Sequence, residues 1–136
     1  MKHLEIFKSP VRISLKDFSL KGDPVIYQQQ VIKNIANIFL DQESLKMISS
    51  ETTVYAIQFW LPVAEGIRGG LFFGTTTIMP GKVGNEYFMT KGHFHSQSDR
   101  AEFSWGVKVE GIVILMDLNR NIWAKEVYAE SRHYIW

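Results

Sequence analysis

The chain has 136 residues, 46% of them hydrophobic and 21% charged, with a formal net charge of +1 and no cysteine. That is enough for one domain of roughly 100–200 residues; it is too apolar for a disordered chain and lacks the clustered basic excess that a nucleic-acid partner calls for. Without cysteine there is no disulfide framework, no thiolate metal site and no cysteine nucleophile, so any metal must be held by His, Asp or Glu.

The N-terminal run MKHLEIFKSPVRISLKDF carries a charge every few residues and has neither the apolar stretch nor the small-residue cleavage site of a secretory leader. The longest apolar segments, 59–63 and 111–116, fall far short of the roughly 20 residues that span a bilayer. A soluble, cytoplasmic protein is expected, with no membrane and no nucleic acid among its partners. Residues 1–24 have no steady period and close on the turn signal Gly22-Asp23-Pro24, which suggests an arm or an edge strand.

Over 31–48, Ile32, Ile35, Ala36, Phe39, Leu40, Leu45 and Ile48 recur at helical separations. Asp41 interrupts them as an N-cap with Ser44 three residues on, so one or two short helices are predicted. Beyond Glu51 the period changes. Segments 53–61 (TVYAIQFWL) and 71–79 (LFFGTTTIM) are rich in β-branched and aromatic residues and predict a paired hairpin. A strand from 87–90 running toward His95 and further strands at 102–107, 111–116 and 122–128 complete a pattern of short strands and turns. This pattern fits an antiparallel barrel or sandwich. Residues 1–50 are expected to form an arm and short helices packing on a barrel core of residues 51–136, in a single domain.

The run Thr90-Lys91-Gly92-His93-Phe94-His95, with Glu102 after six further residues, is the strongest chemical signal. In a strand, positions i and i+2 share a face, so His93 and His95 project together, and Glu102 can face them from a returning strand. Two imidazoles and a carboxylate suit Fe, Mn, Zn or Ni and leave positions open for substrate. An exposed strand also carries histidines at this spacing by chance, and spacing alone does not separate the two. Thr75-Thr76-Thr77 and Lys91-Gly92 offer hydroxyls, backbone amides and a charge to a phosphate, although a threonine run taken by itself is more often an ordinary strand surface.

The stretch 75–102, TTTIMPGKVGNEYFMTKGHFHSQSDRAE, resembles the signature region of the cupin-type, archaeal-type glucose-6-phosphate isomerases in the order and spacing of its PGKVGxE, TKGHFH and DRAE steps. Looser similarity continues through VYAIQ upstream and GIVILMDLNRNIWA downstream. The resemblance implies a mainly β cupin barrel (a double-stranded β-helix or jelly roll) with short N-terminal helices. It implies one divalent metal, Fe(II) first and Mn, Ni or Zn as alternatives, on His93, His95 and Glu102. It also places substrate contacts on Tyr55, Thr76, Thr90 and Gly92, assigns catalysis to Glu102 and His93, and gives the reaction as interconversion of glucose 6-phosphate and fructose 6-phosphate.

The chain departs from the family pattern toward its C-terminus. Ser104 stands where a tyrosine follows the glutamate, Val109 replaces a frequent glycine and Ala129-Glu130 stands at a PG turn. Trp136 follows His133-Tyr134-Ile135 where proline is expected, and the fourth histidine ligand of the family falls beyond it; His133 is a candidate substitute. A barrel incomplete on its C-terminal side is therefore expected, with an open edge covered by a second subunit in a homodimer. The competing expectations are a cupin that binds metal or sugar phosphate without turnover, and a cupin enzyme of another kind, such as an Fe(II) oxygenase.

Overall fold

A computed structural model describes residues 9–64, 67–94, 103–107, 110–127 and 133–135. Its backbone divides into two compact units, Met1–Phe94 and His95–Trp136.

In the first unit the N-terminal arm is a small antiparallel pair, β1 (Arg12–Ile13) with β2 (Leu20–Lys21), Arg12 opposite Lys21. Its turn is closed by Asp17, whose Oδ1 accepts the Ser19 hydroxyl at 2.7 Å and the Ser19 N–H at 3.2 Å. Val11 and Leu20 are buried, and the Leu20 N–H donates to Gln58 Oε1 at 2.6 Å, which ties the arm to the central sheet.

That sheet is β3 (Ile26–Val31), β4 (Thr53–Trp60) and β5 (Phe73–Ile78), all antiparallel, with β4 in the middle. The β4–β5 hairpin is the one the β-branched and aromatic runs predict. β3 was not expected, because Gln28-Gln29-Gln30 shows no apolar period; backbone ladder bonds to β4, indifferent to side-chain type, make it a strand. Gln30 stands opposite Tyr55 but Val31 opposite Thr53, so Val54 is an extra residue in the pairing. The bulge breaks the alternation, and Val54, Tyr55 and Ala56 are all buried in succession.

The predicted helical segment forms α1 (Ile32–Ile35), a 3-10 turn over Ala36–Ile38 and α2 (Gln42–Leu45). Asp41 is the cap that its position suggested, accepting the Ser44 N–H at 2.9 Å and the Ser44 hydroxyl at 2.7 Å. Ile32, Ile35, Phe39 and Leu45 pack with Val54, Tyr55, Val83 and Phe88 in the core. Burying each such side chain is worth roughly 1.5–3 kcal/mol, which far exceeds what a four-residue helix gains from propensity.

A tight hairpin follows, β6 (Lys82–Val83) with β7 (Glu86–Tyr87), the Lys82 ammonium lying 4.1 Å from the centre of the Tyr87 ring. The strand expected from Tyr87 toward His95 ends at Tyr87, and residues 88–94 lie outside regular strands. Phe88 donates its N–H to the Gly81 carbonyl at 3.0 Å and turns its ring into the core, 6.3 Å from that of Phe39. Thr90 to Phe94 are exposed and belong to no strand.

In the second unit β8 (Phe103–Trp105) pairs with β11 (His133–Ile135), and β9 (Gly111–Met116) with β10 (Ile122–Val127), both antiparallel. The β9–β10 turn is held by Asp117, which accepts the Asn121 N–H and side-chain amide, each at 2.8 Å. The protein is thus mainly β, built of antiparallel strands with short N-terminal helices, as a cupin-like fold requires. Among the described residues no helix is long and apolar enough to cross a membrane.

Candidate functional site

Paired residues of neighbouring antiparallel strands share a face, and i, i+2 residues of one strand share it too. Tyr55 stands opposite Ile78, and Thr76 opposite Ile57, so Tyr55 and Thr76 lie on one face of the central sheet, diagonal to one another on adjacent strands. This is the only pair among the expected substrate contacts whose common placement the strand register decides. Tyr55 is 6% exposed, its ring inside the core; Thr76 is exposed. No buried side-chain oxygen or nitrogen among the described residues lacks a partner, so the Tyr55 hydroxyl is not an orphan inside the core.

The opposite face is occupied differently. Gln58 and Ala56 alternate with Tyr55 and Ile57, and Gln58 is engaged by the Leu20 amide of the arm. On the face of Tyr55 and Thr76, Tyr55 belongs to the core and Ile57 packs against it, while Thr76, Ile78 and Gly74 of β5 are exposed.

Thr90, Lys91, Gly92 and His93 follow the core anchor Phe88 as an exposed segment. A Cβ at Gly92 would meet nothing within 4 Å, so the backbone there is open to a ligand. His93 is placed on this segment; His95 and Glu102 lie outside the described residues. Among the described residues no three His, Asp or Glu side chains gather as a metal-holding group. His133 lies in β11, paired with Trp105 of β8.

The position of this segment depends on a residue that the sequence reading passed over. Glu86 Oε1 accepts the Leu40 N–H at 2.9 Å and the Asp41 N–H at 2.8 Å, and Oε2 lies 3.0 Å from the Leu40 nitrogen. The carboxylate thereby ties the β6–β7 hairpin to the start of α2, two residues before Phe88 leads into Thr90 to His93. Gly84, at the hairpin turn with φ +56°, lies so close to Asp41 Oδ2 that a Cβ would collide with it. The spacing of Gly84 and Glu86 within PGKVGNE was the available signal, but it reads as a turn until the partner at the start of α2 is known.

A family model described as glucose-6-phosphate isomerase (GPI) matches residues 29–130, which include every candidate site residue from Tyr55 to Glu102. The chain is 34% identical over 116 residues to the glucose-6-phosphate isomerase of the archaeon Thermococcus kodakarensis, covering 80% of this chain and 57% of that protein. It is 34% identical over 107 residues to that of Sinorhizobium medicae, covering 76% of this chain and 49% of that protein. It is 39% identical over 84 residues to that of Thermococcus litoralis, covering 62% of this chain and 44% of that protein. The chain spans about half the length of the curated relatives it matches. With a match running from β3 to beyond β10, the chain belongs to the glucose-6-phosphate isomerase family.

Proposed function

We propose that the protein interconverts glucose 6-phosphate and fructose 6-phosphate, with a divalent metal on His93, His95 and Glu102. The observation that carries this is the family match over 29–130, which contains the whole TKGHFH to DRAE run. Two neutral imidazoles and a carboxylate are a donor set suited to Fe(II), Mn, Ni or Zn. Such an ion, when bound, acts as a Lewis acid on the sugar's carbonyl and hydroxyl oxygens. Thr76, Thr90 and the open backbone at Gly92 hold the phosphate, and the Tyr55 hydroxyl orients the sugar. Glu102 takes and returns the proton in an enediol route; a hydride shift between C1 and C2 leaves it as a ligand alone.

The same reading takes the protein as a cytoplasmic homodimer. Exposed Ile112, Ile114, Met116 and Ile122 lie together on one face of β9–β10, the kind of apolar surface a second subunit covers, and this supports it. A monomer in size-exclusion chromatography with light scattering would remove that part.

The deciding experiment strips metal from the full chain, restores Fe, Mn, Ni or Zn singly and follows fructose 6-phosphate formation. Turnover restored by one of these metals, and lost together with metal uptake in His93→Ala, is the expected result. No turnover with any metal in a folded protein would leave a binding protein instead.

A further inference from the structure

The glutamine run of β3 has no place in the function proposed above, and the strand register gives it one. Gln28 stands opposite Ile57, which stands opposite Thr76; Gln30 stands opposite Tyr55, which stands opposite Ile78. Gln28 and Gln30 therefore lie on the face of Tyr55 and Thr76. Gln29, opposite Ala56 and in the row of Thr77, lies on the other face. With strands about 4.8 Å apart, the row from Gln28 to Thr76 crosses roughly 10 Å of sheet.

The amides on this face are uncommitted. On the far face Gln58 uses its side-chain oxygen on the Leu20 N–H. The side chains of Gln28 and Gln30 make no hydrogen bond among the described residues, and Gln30 is half-buried, directly across from the buried ring of Tyr55. A carboxamide offers two donors and a two-lone-pair acceptor with no charge. That matches vicinal hydroxyls, each of which both donates and accepts, and adds nothing for a phosphate that a cation or backbone amide does not supply better.

We propose that Gln28 and Gln30 recognise the hydroxyl groups of the sugar, forming with Tyr55 the polyol side of the site whose phosphate side includes Thr76. This rests on the reading of Tyr55 and Thr76 as substrate contacts. Gln29 is the built-in control, since it has the same chemistry on the same strand and faces away.

The test is titration calorimetry on the full chain with fructose 6-phosphate and, separately, inorganic phosphate, for the wild type and for Gln28→Met, Gln29→Met and Gln30→Met, which keep side-chain length and remove the amide. Gln28→Met and Gln30→Met should each weaken fructose 6-phosphate about tenfold and leave inorganic phosphate unchanged, with Gln29→Met unchanged for both. Gln28→Leu and Gln30→Leu replace any methionine variant whose urea midpoint drops below that of Gln29→Met. Wild-type affinity for fructose 6-phosphate in both the position-28 and position-30 variants, or an equal loss in Gln29→Met, overturns the proposal and leaves the sugar-phosphate reading intact. A wild-type chain that binds inorganic phosphate but gains nothing from the sugar overturns both.

Discussion

Glu86 and Asp41 hold each other's surroundings in place across 45 residues of sequence: the Glu86 carboxylate accepts the Asp41 N–H at 2.8 Å, while the Asp41 side chain caps α2 through Ser44. One carboxylate satisfies backbone donors at the entrance to the helix, and the other satisfies a donor just inside it. The hairpin that leads into Thr90 to His93 is thereby attached to the helical layer at a defined point. Glu86→Ala removes the partner of two backbone N–H groups, that of Leu40 exposed and that of Asp41 part-buried, and should cost about 1 kcal/mol in urea unfolding, with Glu86→Gln recovering part of it.

Gly84 belongs to the same contact. Alanine there meets both a left-handed backbone angle of +56° and the Asp41 carboxylate. Gly84→Ala should destabilise by roughly 1–3 kcal/mol, and the loss should shrink when Asp41 is also replaced by alanine, because the worst collision is then removed while the backbone strain and the close Ser44 hydroxyl remain.

Acid should weaken this region. The Ser44 hydroxyl first, and then the Ser44 N–H, hold the Asp41 carboxyl below its usual range, and Lys33 does the same for Glu51. A carboxyl lowered in the folded state contributes stability above the unfolded-state value and loses it as pH falls through the folded one. The urea midpoint should therefore decline below about pH 4. Asp41→Asn, which can still cap the helix, should flatten that decline, and an unchanged slope would remove Asp41 from the account.

Phe88 links the core to the exposed segment that follows it. Its ring packs against Phe39 and against the Gly81 turn. Phe88→Ala should cost about 3 kcal/mol, a large part of the stability of a small domain. Hydrogen exchange should report the loss first in the Phe88 amide, which donates to the Gly81 carbonyl.

Tyr55 separates packing from chemistry within one side chain. Tyr55→Phe keeps the buried ring and removes only the hydroxyl, so the unfolding free energy from urea titration should stay within about 0.5 kcal/mol of wild type. If the hydroxyl orients the sugar, fructose 6-phosphate affinity should fall about tenfold. Unchanged affinity would take Tyr55 out of the site.

The sequence by itself determined whatever depends on neighbours along the chain. The β-branched and aromatic runs of β4 and β5 favour extended backbone, Asp41 and Ser44 are close enough to cap a helix, and the run from Thr75 to Glu102 carries its family resemblance in residue order alone. Tertiary structure decided what depends on pairing between distant segments. A glutamine run became β3 because β4 offered backbone bonds, and the strand toward His95 stopped at Tyr87, with Phe88 packed in the core. Glu86 changed from a turn residue to a tie because Leu40 and Asp41 present their amides to it. The shared face of Gln28, Gln30, Tyr55 and Thr76 is of this second kind: strand register arises from hydrogen bonds between backbones far apart in sequence, and a shift of one residue would have sent every one of those side chains to the other side.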